Sequence, residues 1–171
     1  MGEPNWMYVC VTTTHAPAFP DIWRIDLTGT AQRTIGSWLW RYQCDGFLYW
    51  CVDYWKKNPY ETPDIFPMAG SNGDGFLFYP DPEKQADPFP SLRLELVRDG
   101  FEDYDLLTLL QKAADAIRAN PMRAPAAQER LAEADRLLNL TADIPAIARY
   151  AKEPAVYETR HRLILEWLDR R

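Results

Sequence analysis

Asp45-Gly46-Phe47-Leu48-Tyr49-Trp50-Cys51-Val52-Asp53-Tyr54-Trp55 is the stretch that decides the fold class, because its residues 46–52 run apolar and aromatic without polar alternation. A strand with one wet face alternates with period two. A continuous apolar run reads instead as a strand covered on both faces, the habit of parallel sheets flanked by helices. Two further runs have the same character: Trp6-Met7-Tyr8-Val9-Cys10-Val11, ended by Thr12-Thr13-Thr14, Pro17 and Pro20, and Gly75-Phe76-Leu77-Phe78-Tyr79, stopped by Pro80 and Pro82. Between the first two, Ile35, Trp38, Leu39 and Tyr42 recur at steps of three and four, which predicts a helix over residues 31–42. The fold class read from these segments is α/β.

Outward from this core the character changes. Residues 56–73 carry Pro59, Pro63, Pro67, Gly70 and Gly73 and read as a long ordered loop, a kind that is uncommon and often functional. Beyond Pro90 the chain is rich in Ala, Leu, Arg and Glu. Ser91 is placed to cap a helix whose apolar stripe is Leu92, Leu96, Phe101, Tyr104, Leu107, Leu110, Ala114 and Ile117, with Gly100 dividing or tightening it at about 1 kcal/mol. A second helix is expected over residues 126–140 with Leu131, Ala134, Leu137 and Leu138 inward, and a short one after Pro145. A last helix has Pro154 in its first turn and Tyr157, His161, Ile164 and Leu168 on one face.

The chain of 171 residues is long enough for one sizeable core. A net charge of −6 and a pI near 4.9 argue against a nucleic-acid partner, whose phosphates are held by a Lys/Arg surface. No apolar run approaches a membrane span, and the N-terminus has no basic region before an apolar stretch, so neither membrane nor signal peptide is indicated. Cys10, Cys44 and Cys51 are odd in number and form no CxxC or Cys/His cluster, so they read as small apolar residues. No metal and no cofactor is implied, and the compartment is not indicated.

Three parallel strands with one crossover helix cannot close a barrel, and they leave sheet edges with unpaired backbone groups. With the first strand starting within a few residues of Met1, the expectation is a C-terminal portion of something larger.

Residues 45–55, the segment Gly73-Asp74-Gly75-Phe76-Leu77-Phe78-Tyr79-Pro80, and Ser91-Leu92-Arg93-Leu94-Glu95-Leu96-Val97-Arg98-Asp99-Gly100-Phe101-Glu102-Asp103-Tyr104 occur in an order that resembles the end of the catalytic domain of glycoside hydrolase family 123. The resemblance spans residues 6–110. It implies a (β/α)8 TIM-type barrel, of which this chain supplies the last three parallel strands and the closing helix. Residues 1–118 would be the barrel portion and residues 119–171 a helical C-terminal extension. It also implies a carbohydrate substrate bearing β-linked N-acetylgalactosamine. The substrate's own acetamido oxygen would act as nucleophile, an exception to the two-carboxylate scheme. The family's adjacent Asp-Glu pair is missing, since no Asp-Glu dipeptide occurs anywhere in the sequence. By this mapping the acid/base lies upstream, and the upstream half of the same barrel is the expected partner.

Barrel enzymes bind ligand at the C-terminal ends of strands and in the loops that follow, here residues 10–21, 51–64 and 79–90. Trp50 and Trp55 offer indoles for the C–H faces of a sugar, Asp53 an acceptor for hydroxyls, and Tyr54 a phenol donor. Position 53 resembles Asn in the family pattern, so Asp53 keeps the acceptor and changes the charge. Tyr79, at the exit of the third strand, is the fifth candidate. Against these stand blander readings, as core aromatics and loop caps. Asp74, between two glycines at the entrance of the third strand, reads as a turn residue at the opposite end of the barrel. Arg93, Glu95, Arg98 and Asp99 read as structural ion pairs, and His15 and His161 as non-ligands. Asp21, Asp26, Glu61 and Asp64 share no spacing that marks an independent carboxylate pair.

Three functions follow: a hydrolase portion contributing aromatic substrate contacts, a non-catalytic carbohydrate-binding remnant, or a degenerate fragment whose exposed edges bind a partner or aggregate.

Overall fold

The computed structural model describes residues 3–10, 22–55, 57–61, 71–83, 87–120, 124–141, 144 and 149–170. Strand β1 (Trp6–Tyr8) pairs in parallel with β2 (Gly46–Leu48), and helix α1 (Thr30–Arg41) lies between them in sequence. Strand β3 (Phe78–Tyr79) pairs antiparallel with β4 (Phe89–Pro90). Helices α2 (Leu92–Arg118), α3 (Pro125–Leu138) and α4 (Pro154–Asp169) follow. The helix expected after Pro145 and most of the 56–73 loop lie outside the described residues.

This arrangement overturns the partial barrel. The described strands form two short two-stranded sheets, one parallel and one antiparallel, instead of three parallel strands closed by a helix. Gly73 and Gly75 take φ of +87° and +83°, left-handed values that glycine reaches without a Cβ penalty. Directly after this turn Phe76 bridges Asp53 antiparallel, and the N–H groups of Leu77 and Phe78 donate to the Val52 carbonyl.

The strands are also shorter than the apolar runs, because side chains take carbonyls that a ladder would use. The Trp23 indole donates to Val9 O at 2.7 Å and Trp55 to Phe78 O at 3.1 Å. The apolar residues of the runs still bury what a core needs. Met7, Ile22, Trp23, Ile35, Trp38, Leu39, Cys44, Leu77 and Val97 form one cluster, with Trp23 stacked on Tyr49 at 3.9 Å between ring centroids.

The helices sit where their periodicity and caps put them, with Ser91 Oγ accepting from Leu94 N and proline in the first turn of α3 and α4. One stripe differs from expectation. The buried face of α2 is Arg93, Val97, Gly100, Asp103, Leu107, Leu110 and Ala114, while Leu92 is 74% exposed and Phe101 points outward. The N-terminal half of α2 is rotated so that Gly100 meets Gly36 of α1, and a Cβ on Gly36 would overlap the Gly100 carbonyl. That rotation buries two charged residues, both answered. Asp103 accepts from Arg33 Nε at 2.8 Å and Nη2 at 3.1 Å, and His161 Nδ1 of α4 lies 2.7 Å from its Oδ1. Further along, Leu107, Leu110, Ala114, Ala134, Leu140, Ile164 and Trp167 make a second cluster between α2, α3 and α4.

Among the described residues, no helix is long and apolar enough to cross a membrane.

Candidate functional site

The five candidate residues flank the short antiparallel contact of residues 52–53 with 76–78. Trp50 and Tyr54 meet edge to face at 4.8 Å between centroids, and Tyr54 N donates to Gly75 O. A Cβ on Gly75 would stand 2.9 Å from both the Trp50 ring and Tyr54 Cβ, so glycine at 75 lets the turn pack directly behind this aromatic pair. Asp53 is exposed and accepts from Cys51 Sγ at 3.5 Å. Trp55 is tied through its indole to Phe78 O, while Tyr79 lies beside Tyr60, with centroids 6.3 Å apart. The structure thus gathers Trp50 and Tyr54 on one side of the contact, and Trp55 and Tyr79 with Tyr60 on the other.

Asp74 is in a turn, but its position differs from the sequence reading. The antiparallel reversal carries it to the residues that follow β2, where it is 1% exposed. Its Oδ1 accepts from Tyr49 Oη at 2.5 Å and from Trp50 Nε1 at 2.9 Å, while Gly75 N donates to Tyr49 Oη. Oδ2 is buried and, among the described residues, has no hydrogen-bond partner. Burial, then the bond to Asp74, pushes the Tyr49 hydroxyl well above the usual phenol range. The Tyr8 hydroxyl is pushed up to about 12, chiefly by its hydrogen bond to Cys10, with smaller contributions from burial and from the charges of Cys10 and Asp74. A motif of Gly-Asp-Gly leading into an aromatic run was the available signal for Asp74. The turn reading absorbed it.

Arg93 is a structural residue. Its guanidinium, 7% exposed, donates to Gly73 O at 2.5 Å, to the carbonyls of Trp23 and Phe76, and to Tyr79 Oη at 3.4 Å, pinning α2 to the turn. Glu95 and Asp99 pair with Arg98 on the surface. Asp26 accepts from Asn72 and Glu61 from Asn58, both as exposed loop contacts. His15, Asp21 and Asp64 lie outside the described residues. No group of three or more His, Cys, Asp or Glu among the described residues is placed to hold a metal ion. A cleft of about 550 Å³ lies at the other end of β2, between Cys44, Asp45, Tyr104 and Leu140, and none of the five candidates lines it.

Residues 1–110 match the model of the glycoside hydrolase 123 catalytic domain. The chain belongs to glycoside hydrolase family 123. The match covers both aromatic groups and the first part of α2, and a glycoside hydrolase family suggests a carbohydrate substrate. No curated protein matches the chain.

Proposed function

We propose that this chain supplies aromatic substrate contacts to a glycoside hydrolase acting on β-linked N-acetylhexosamine, of the N-acetylgalactosamine type, by substrate-assisted retaining hydrolysis. The carrying observation is the half-buried Trp50, with its N–H bonded to Asp74 and its ring edge-on to Tyr54. An indole held in this way offers its face to the C–H side of a pyranose at little cost in rotamer freedom, while Asp53 and Tyr54 bring polar groups to hydroxyls and the acetamido group. Trp55 and Tyr79, beside Tyr60 on the other side of the 52–53/76–78 contact, form a second aromatic group that can meet a further part of the substrate. The acid/base pair lies on a segment upstream of this sequence, a reading supported by the absence of any Asp-Glu dipeptide.

Titration calorimetry of the chain with N-acetylgalactosamine tests the contact. Binding that Trp50→Ala weakens at least about tenfold, with the melting temperature held, is the expected result. Unchanged affinity in Trp50→Ala overturns it. A chromogenic β-N-acetylgalactosaminide separates the hydrolase from a carbohydrate-binding remnant: this chain joined to the upstream segment turns it over if the first reading is right, and only binds if the second is.

A further inference from the structure

The carboxylate of Asp74 is the least explained polar group in the aromatic half of the molecule. Tyr49 Oη and Trp50 Nε1 both donate to the single oxygen Oδ1. Oδ2 is buried and, among the described residues, receives no donor. A carboxylate has about four acceptor sites, and leaving an oxygen of a charged group buried without a donor is costly. Native structures account for such groups by water, an ion or a ligand. A divalent ion would need further ligating groups beside it, and the described residues provide no such cluster. The remaining chemistry is a neutral hydrogen-bond donor, O–H or N–H, presented next to an indole.

We propose that Asp74 is a ligand-binding residue, its Oδ2 accepting a hydroxyl or amide N–H of a sugar seated against Trp50. This rests on the Trp50 contact proposed above and adds the polar anchor which that contact lacks. One carboxylate does two jobs: Oδ1 holds the indole in orientation, and Oδ2 takes the donor of the ring that the indole stacks on. The geometry selects against anionic ligands, because the anchor is itself an acid. Oδ2 is shielded from solvent in the free chain, so the ligand reaches it by displacing a neighbouring side chain.

Asp74→Asn separates this role from a merely structural one. The amide keeps one oxygen to accept from Trp50 and Tyr49 but replaces the other with an N–H₂ donor. Calorimetry with N-acetylgalactosamine, together with thermal melts and near-ultraviolet circular dichroism of the tryptophans, is the experiment. The expected outcome is a melting temperature and tryptophan signature close to wild type, with affinity down about tenfold or more, the effect of losing one hydrogen bond to a charged group. Wild-type affinity in Asp74→Asn while Trp50→Ala is weakened overturns the Asp74 role and leaves the Trp50 contact standing. Weakening in Asp74→Asn with Trp50→Ala unaffected does the reverse. No binding by the wild-type chain overturns both. If Asp74→Asn does not fold, deoxy analogues of the sugar against the wild type decide: one analogue must lose about tenfold, and uniform affinity across the series refutes the anchor.

Discussion

The aromatic half of the chain and its helical half solve the same problem, the satisfaction of buried backbone groups, in different ways. In α2, α3 and α4 the main chain answers its own N–H and C=O groups, and the side chains are left to pack, as Leu107, Leu110, Ala114, Ile164 and Trp167 do. In the aromatic half the ladders are two or three residues long, and carbonyls are taken by Trp23, Gln32, Trp55 and Arg93 side chains. The difference teaches where function can be placed. Loops held by side-chain donors can present aromatic faces at angles that a regular ladder would not allow, and each such donor becomes a point of failure.

The sharpest way to break the comparison is at the seam between the halves, where α1 crosses α2. Gly36→Ala places a Cβ on the Gly100 carbonyl, so the helices must separate; a loss of about 4 kcal/mol or more in urea unfolding is expected. A loss below about 1 kcal/mol would mean that the crossing is looser than the backbone contact implies. Next comes the aromatic half's own staple. Arg93→Met removes the guanidinium donors from the carbonyls of Trp23 and Phe76, whereas Gly73 O still accepts from Phe76 N at 3.1 Å; at ~1–3 kcal/mol for each buried group that loses its donor, a loss of about 2 kcal/mol or more is expected. Hydrogen exchange should then accelerate at residues 71–79 before it does in α3 and α4. Equal acceleration in both halves would contradict the division. The smallest effect is alkaline. Tyr49 has its pKa raised in the folded chain, so its contribution to stability is complete below the unfolded value of 10.0 and is lost as pH rises above it. Tyr49→Phe should therefore flatten the decline of melting temperature above pH 10 while leaving α3 and α4 untouched. An unaltered slope would place Tyr49 outside the buried network.

Much of the helical half was legible because its signals are local. The period of Ile35, Trp38 and Leu39, the Ser91 cap, the spacing of Leu131, Ala134 and Leu138, and Pro154 all act within a turn or two of where they stand. The α2 stripe was read one residue out of register in its first turns, since hydrophobicity alone favoured Leu92 and Phe101 over Arg93 and Asp103. Only partners from elsewhere, the turn carbonyls for Arg93 and Arg33 with His161 for Asp103, make those charges burial-competent. The parallel third strand failed for a related reason. Continuous apolar runs read as burial on both faces, yet Trp6, Tyr8, Leu48 and Val52 are exposed while Met7, Phe76 and Leu77 are buried, so the runs are covered on one side only.

What the sequence determined by itself was therefore the family, carried by three ordered motifs within the matched residues 1–110, and the helices, whose cues are short-range. What the tertiary structure alone decided was direction and neighbourhood. The antiparallel contact of Asp53 with Phe76 brings Asp74, in a turn with two glycines at positive φ, against Tyr49 and Trp50, twenty-five and twenty-four residues away in sequence. Hydrogen bonding across such separations depends on where the backbone has already been placed, and no residue's own chemistry records it.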